Sequence, residues 1–435
     1  MKIKIFKIFK ICRIILAAGM LVLMTLCFTI NFTPDNAGKS GLMTATQFMP
    51  DVLKLIASGL VAAPLIGLVA IIILTLLFGR VYCSVICPLG IMQDLIGFFK
   101  RKYHPLPRLV KLRLVIVIVC FGGLAAGIIY PLMLLDPFSF FGRIVNSTQG
   151  KAPWPVLVWV AITVVLLVIA VRKYGRIYCN SLCPVGAILS LLSRYAWFKV
   201  RIKESCRNCG RCEKVCKAGC IDFKKHDVDS SRCVMCLNCL SDCPFDAMTF
   251  SHANPAPAEV PVDEVDKSKR EFMTIAGISA LAIPAVALPV KPVESENHKI
   301  PVMPPGALSL NRFNRKCTAC HLCVSACPSH IIRPTLTAYG WNGILQPRLN
   351  FTPNPCSQYC NVCSQVCPTG ALTPLTPDQK SQLQFGLAEY IKQDCIVVTG
   401  KSPCGKCADA CPVGAISMIE WQDGLTIPKV DHKLC

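Results

Sequence analysis

Gly79-Arg80-Val81-Tyr82-Cys83-Ser84-Val85-Ile86-Cys87-Pro88-Leu89-Gly90 returns later in the chain as Gly175-Arg176-Ile177-Tyr178-Cys179-Asn180-Ser181-Leu182-Cys183-Pro184-Val185-Gly186. Both copies read G-R-[VI]-Y-C-x-x-x-C-P-[LV]-G, and each follows directly on a long apolar run. Two matched segments in matched positions mark an internal repeat. Their cysteines, Cys83, Cys87, Cys179 and Cys183, are candidate cofactor-binding residues. Three readings stay open: one tetrahedral thiolate site shared by the loops, two redox-active dithiols, or reduced thiols that only pack.

Outward from these loops the chain is apolar. Runs at about 14–32, 55–79, 112–135 and 152–171 are each long enough to cross a hydrocarbon core of roughly 30 Å as a helix. Hydrophobic residues make up 53% of the 435 and charged ones 16%, a balance that points to several spans. Basic residues set the orientation: Lys2, Lys4, Lys7, Lys10 and Arg13 precede the first run. Arg80, Lys100, Arg101, Lys102, Arg108, Lys111 and Arg113 lie between the second and third, and Arg172, Lys173 and Arg176 follow the fourth. The other two loops carry only Lys39 and Lys54, then Arg143 and Lys151. The positive-inside rule therefore expects an inner-membrane, multi-pass protein with a cytoplasmic N-terminus. No small-residue cleavage site stands out behind the first run, which argues against a removable signal peptide. None of the histidines (His104, His226, His252, His298, His321, His330, His432) lies within a run, which excludes a bis-histidine haem b there.

The formal net charge of +21 invites a nucleic-acid reading. Topology accounts for many of the basic residues, and each four-thiolate 4Fe–4S cube adds roughly −2 that the formal count omits. No nucleic-acid partner is expected.

The chain has 29 cysteines, most at two- and three-residue spacings that suggest metal ligation rather than disulfides. Cys206, Cys209, Cys212 and Cys216 are followed by Cys233, Cys236, Cys239 and Cys243-Pro244, the two-cluster ferredoxin pattern. In it three closely spaced thiolates wrap one cube and the fourth crosses to the other. The expected sets are Cys206, Cys209, Cys212 with Cys243, and Cys233, Cys236, Cys239 with Cys216. Cys216 lacks the following proline, and Cys220 is the other candidate for the crossing ligand. A zinc ribbon would bring paired C-x-x-C units, four ligands per metal, which fits these runs less well.

Residues 252–270 read as a Pro- and Ala-rich linker. Ser268-Lys269-Arg270-Glu271-Phe272-Met273, with an apolar run to about Val290, resembles a twin-arginine export signal with lysine in the first arginine position. The alternative is a helix lying on the membrane surface. As a fifth span it would place the rest of the chain in the periplasm. There, Cys317, Cys320, Cys323 and Cys327 precede Cys356, Cys360, Cys363 and Cys367. The crossing rule pairs Cys367 with the first three and Cys327 with Cys356, Cys360 and Cys363. A third set is Cys395, Cys404, Cys407 and Cys411, with the final Cys435 as an alternative ligand or the start of a further motif in a longer chain. Cys317-x-x-Cys320-His321 also matches a c-type haem attachment site, but the cube needs the same two cysteines.

The expected fold is a membrane α-helical bundle of four to five spans plus two ferredoxin-like α+β multi-cluster modules. Its parts are a transmembrane domain over 1–200, a cytoplasmic dicluster module over 201–250, a linker with signal or fifth span over 251–299, and an exported module over 300–435. Four 4Fe–4S clusters follow from the pattern, a fifth from the third C-terminal set, and a sixth if the C-x-x-x-C-P loops share one.

In this order of parts, residues 1–250 resemble the NapH-type membrane protein, and residues 265–435 the NapG-type ferredoxin, of periplasmic nitrate reductase systems. The resemblance implies a quinol dehydrogenase subunit that takes electrons from the membrane quinone pool and passes them to a periplasmic reductase or its cytochrome. The NapG type normally holds four cubes, so the absent fourth C-terminal motif departs from it. A different class of function fits the same membrane half: assembly of an oxidase metal centre, or redox sensing. No phosphate loop or complete dinucleotide fingerprint occurs, so neither ATP nor NAD use is expected.

Overall fold

The computed structural model describes residues 2–30, 33, 39–58, 62–98, 103, 110–252, 301–340, 343–352, 354–383, 388–400, 402–411 and 413–434. The export-signal segment and Cys435 lie outside them.

The repeat is visible as backbone. In the first half come helices α1 (Lys2–Thr29), α2 (Lys39–Thr44), α3 (Phe48–Ser58), α4 (Ala62–Phe78), α5 (Tyr82–Val85) and α6 (Pro88–Ile96). The second half has α7 (Val110–Val117), running through a π turn at Ile118–Gly122 into α8 (Gly123–Ala125). Then follow α9 (Tyr130–Leu135), α10 (Pro137–Thr148), α11 (Trp154–Tyr174), α12 (Ile177–Ser181) and α13 (Pro184–Ser193). Proline sets the joints. Pro88 and Pro184 open α6 and α13, and each pushes the preceding cysteine to extended backbone, ψ 116° at Cys87 and 119° at Cys183. The second cysteine of each loop is thereby fixed at a helix N-cap.

Among the described residues, two helices are long and apolar enough to cross a membrane, Phe6–Thr29 and Trp154–Tyr174. The run at 55–79 contains one shorter apolar helix, Ala62–Phe78. The run at 112–135, expected as one span, is not one helix. It ends after Ala125, turns through Gly127 at φ +81°, and restarts at α9 with Pro131 in its first turn. Glycine tolerates that φ and proline cannot continue a helix, so local backbone chemistry overrides the apolar run.

Two cysteine-rich modules cap opposite ends of the long helices. At one end, strand β1 (Phe198–Ile202) leaves α13, and Trp197 N–H donates to Leu76 O at 2.7 Å, near the end of α4. Small hairpin strands β2 (Ile221–Asp222) and β3 (Asp227–Val228) follow, with helices α14 (Arg211–Lys214) and α15 (Asn238–Asp242) around them. Strand β4 (Met248–His252) closes this module by pairing antiparallel with β1. At the other end sits a module over 301–383 with hairpin β5 (Ile332–Pro334) and β6 (Pro347–Leu349). Phe28, Phe138, Phe141 and Val145 pack there against Cys320, Leu322, Ala326 and Val362. Lys316 Nζ reaches Ala57 O at the end of α3 (3.4 Å), and Arg333 donates to Lys151 O just ahead of α11 (2.7 Å). A last hairpin, β7 (Ile416–Glu420) with β8 (Thr426–Val430), accompanies the third cysteine set.

Candidate iron–sulfur centres

Every cysteine among the described residues is free. Around several of them the backbone curls through left-handed residues at matching places. These flank the second cysteine of a motif: Asn208 and Gly210 beside Cys209, Met235 and Leu237 beside Cys236, Ala319 and His321 beside Cys320. Such turns aim successive N–H groups inward and form a concavity suited to an anionic cluster. The fourth motif lacks this curl, and Asn361 lies at φ −113°; its wider Cys356–Cys360 spacing lets the chain turn without it.

The thiols fall into sets. Burial and the neighbouring charges of Cys236, Cys233 and Cys216 push Cys239 well above the ordinary thiol value. Cys212 rises to about 11 through burial, with Cys206 and Cys209 as its thiol neighbours. Arg211 senses Cys209 and Cys243 together. In the other module, Cys367 is felt at Cys317, Cys320 and Cys323, while Cys363 is raised by burial and by Cys356, Cys327 and Cys360. Cys216 thus lies near Cys233, Cys236 and Cys239, with Cys212 also in reach of Cys239, and Cys327 lies near Cys356, Cys360 and Cys363. Cys220 lies with Cys216, sulfur to sulfur 3.5 Å, so both candidates for the crossing ligand face the same set. Buried thiols crowded like this repel one another as thiolates, and a cationic metal core between them removes that cost. Free thiols, crossed sets and inward amides together fit 4Fe–4S cubes.

Donors reach the sulfurs directly. Lys380 Nζ lies 3.2 Å from Cys356 Sγ, and Leu372 N–H 3.4 Å from Cys367 Sγ. His321 is buried in the core: its Nε2 sits 2.8 Å from Leu345 O, and burial lowers its pKa to about 3. An axial haem ligand would have to leave that position. The third set is more open: Cys407 is exposed and Cys395, Cys404 and Cys411 are half-buried. Ala415 N–H donates to Cys411 Sγ at 3.2 Å, and Cys395 and Cys407 lie within electrostatic reach of Tyr390.

The two C-x-x-x-C-P loops meet beneath the 198–252 module, and each is braced by the other. Arg80 of the first donates to Cys179 O of the second at 2.8 Å, and Arg176 of the second to Cys83 O of the first at 2.7 Å. Each guanidinium passes close to a sulfur of its own loop: Arg80 to Cys83 Sγ at 4.0 Å, Arg176 to Cys179 Sγ at 3.9 Å. Glycine makes room for this. A Cβ on Gly90 would stand 2.2 Å from Cys83 O and 2.9 Å from an Arg176 nitrogen, and one on Gly186 2.2 Å from Cys179 O and 3.0 Å from an Arg80 nitrogen. All four thiols are buried and within one another's electrostatic reach, Cys183 sensing Cys179, Cys87 and Cys83. The arginines and glycines were visible in the repeat, but sequence does not say which loop each one serves. Asp94, outside the repeat, gave no signal at all.

Two family models match, each twice. One described as a 4Fe-4S binding domain covers residues 60–105 and 155–203, the two loop repeats. One described as a 4Fe-4S dicluster domain covers 205–247 and 316–371. The ferredoxin-type protein NapH of Escherichia coli is 28% identical over 46% of this chain and 72% of its own length. The chain is similar to the NapH-type ferredoxin-type proteins. Among other relatives, the putative electron transport protein YccM of Escherichia coli is 30% identical over 45% of the chain and 57% of YccM. The methylamine utilization ferredoxin-type protein MauM of Methylophilus methylotrophus is 36% identical over 30% of the chain and 60% of MauM. The chain thus spans little more than half of these last two proteins. No solved structure matches it. As an iron–sulfur electron-transfer protein of this type it carries two kinds of 4Fe–4S domain; the NapG-like reading of residues 265–435 is not part of that result.

Proposed function

We propose that the chain is an inner-membrane electron carrier that takes electrons from quinol and delivers them to a reductase on the periplasmic side. The observation that carries this is the placement of two dicluster-type modules at opposite ends of the long helices, with the four-thiol loops between. The 21-residue α11 spans about 30 Å, one hydrocarbon core. Ile66, Val69 and Ile73 of α4, with Ile162, Val165, Leu166 and Ile169 of α11, are exposed, as a lipid-facing surface requires. Arg172 and Lys173 lie in the last turn of α11, beside the 198–252 module, so the positive-inside rule puts that module in the cytoplasm and 301–435 outside. In this reading the parts are 1–200, 201–250, 251–299 and 300–435. Cys206, Cys209, Cys212, Cys243 and Cys216, Cys233, Cys236, Cys239 hold the inner cubes. The outer cubes are held by Cys317, Cys320, Cys323, Cys367 and by Cys327, Cys356, Cys360, Cys363, with a fifth cube at Cys395, Cys404, Cys407 and Cys411.

Each cube, when bound, gives or accepts one electron without making or breaking substrate bonds. The chain's part is to hold the thiolates, bury them and place N–H donors on sulfur, which tunes potential. Lys380 and the amide of Leu372 do so in the outer module. Anaerobic, full-length protein in detergent tests the reading: reduced menaquinone or ubiquinone analogues should bleach the visible absorption of the clusters and raise an electron paramagnetic resonance signal. An iron-replete sample that dithionite reduces and no quinol does would rule it out.

A further inference from the structure

The surroundings of the two C-x-x-x-C-P loops carry more positive charge than any described anion balances. Arg80 is fully buried, and its acceptors are all neutral: Asn180 Oδ1 at 2.7 Å, Ser231 O at 3.1 Å and Cys179 O at 2.8 Å. Arg176 is also buried and pairs with Asp94 at 2.8 Å, but the same carboxylate serves Lys217 at 3.0 Å and Arg13 at 3.3 Å. Three cations therefore share one carboxylate, and Arg80 meets only neutral acceptors. A buried cation without a counter-charge is costly, and a desolvated site resolves that cost by admitting an anion. Neutral thiols and disulfides supply none. Four thiolates around an iron–sulfur core supply roughly −2.

The donors are already aimed at sulfur. Gln93 Nε2 lies 3.3 Å from Cys179 Sγ and Gly186 N–H 3.3 Å from Cys183 Sγ, while both guanidiniums pass near sulfur. The buried Nε of Arg80 has no partner. The cross-bracing also fixes stoichiometry. Each arginine is anchored on the opposite loop's cysteine carbonyl, so the two loops form one concavity about a pseudo-twofold axis rather than two.

We propose that Cys83, Cys87, Cys179 and Cys183 together hold one iron–sulfur cluster, shared between the two loops, with Arg80 and Arg176 as its built-in counter-ions. This rests on the iron–sulfur reading above and extends it to one site with two symmetric halves. The site touches the inner module on one side, where Arg176 N–H donates to Lys217 O, next to Cys216. On the other side it touches α10, where the Tyr178 and Phe140 rings lie 6.1 Å apart.

Iron and acid-labile sulfide are measured per chain on anaerobic, full-length parent, Cys83→Ser, Cys179→Ser and the double variant. Each single change should remove the same increment, about four irons for a 4Fe–4S cluster or about two for 2Fe–2S, and the double should remove no more. A double variant that loses twice the increment means one cluster per loop and overturns the proposal. Unchanged iron in all three variants means thiols or disulfides and overturns it too. In Arg80→Gln the resonance signal lost in Cys83→Ser should persist and titrate at a lower potential, because a removed cation no longer favours the reduced, more negative cluster; Arg80→Lys should recover most of the shift. No movement in either arginine variant removes the counter-ion role. Cys209→Ser is the control: it should cost iron from the inner module alone. If the parent itself is iron-free, the electron-carrier reading fails rather than the shared site alone.

Discussion

Asp94 binds Arg176, Lys217 and Arg13 at once, joining the second loop, the inner module and α1. Burial alone would raise its pKa, but the three cations outweigh that and hold it well below the ordinary 3.8. A depressed carboxylate stabilises the fold fully above its unfolded value and loses that contribution as pH falls through its folded one. Asp94→Asn should therefore lower stability at neutral pH by about 3–5 kcal/mol, the usual cost of leaving buried cations unpaired. The gap in melting midpoint between parent and variant should narrow as pH drops below about 4. A gap that stays constant down to pH 2 would contradict this account. Glycine offers a second check at the same scale. Gly90→Ala and Gly186→Ala each drive a methyl into a backbone carbonyl and should lower the melting midpoint, whereas Gly405→Ala, with nothing within 4 Å, should not. The glycines and cysteines of this site were readable because the repeat fixes their places. The role of Asp94 was not, because ion pairing between distant segments leaves no trace in local spacing.

At the scale of elements, α10 is the part that sequence reading passed over. Residues 136–148 read as a connecting loop with one arginine; they form a helix opened by Asp136-Pro137, with the Asp136 carboxylate accepting from Ser139 N–H at 2.8 Å. The cue was present, an N-cap followed by apolar Phe138, Phe141 and Val145 on one face, but the long apolar run ahead of it masked the boundary. That run breaks where Gly127 and Pro131 interrupt it, whereas α1 and α11, with no such interruption, came through as single helices. The cysteine spacings, by contrast, marked where thiols gather, because a loop of two or three residues leaves little freedom. Helix α10 carries the outer module, with Asn146 donating to Ser325 Oγ at 3.1 Å and Gly142 against Cys320 O. A Cβ on Gly142 would stand 2.3 Å from that oxygen and 2.6 Å from the Phe28 ring. Gly142→Leu should thus undock the module without removing a thiol. Limited trypsin digestion should release the 301–383 region faster, at least tenfold if docking contributes ~1.4 kcal/mol or more, with iron per chain unchanged. Equal rates would mean that α10 does not hold it.

Across the whole molecule, the difficulty for an electron carrier is continuity between two modules placed at opposite ends. Nothing in the apolar runs suggested a link. The structure places packed protein throughout the interval: inner module, four-thiol loops, Tyr178 against Phe140, then Phe28 between Phe138 and Phe141, their centroids 5.4 and 6.1 Å from its own, beside Cys320. Such an arrangement serves a membrane carrier only if the two ends face different compartments. The proposed orientation rests on charge, since Lys10, Arg13, Arg172 and Lys173 gather at the end that holds residues 198–252. The expected outcome is asymmetric proteolysis. In right-side-out spheroplasts trypsin should cut within 301–435 and spare 198–252, and inverted vesicles should show the reverse. Cleavage of both modules from the same side would place them in one compartment, and the quinol-to-periplasm direction proposed above would then have no physical basis.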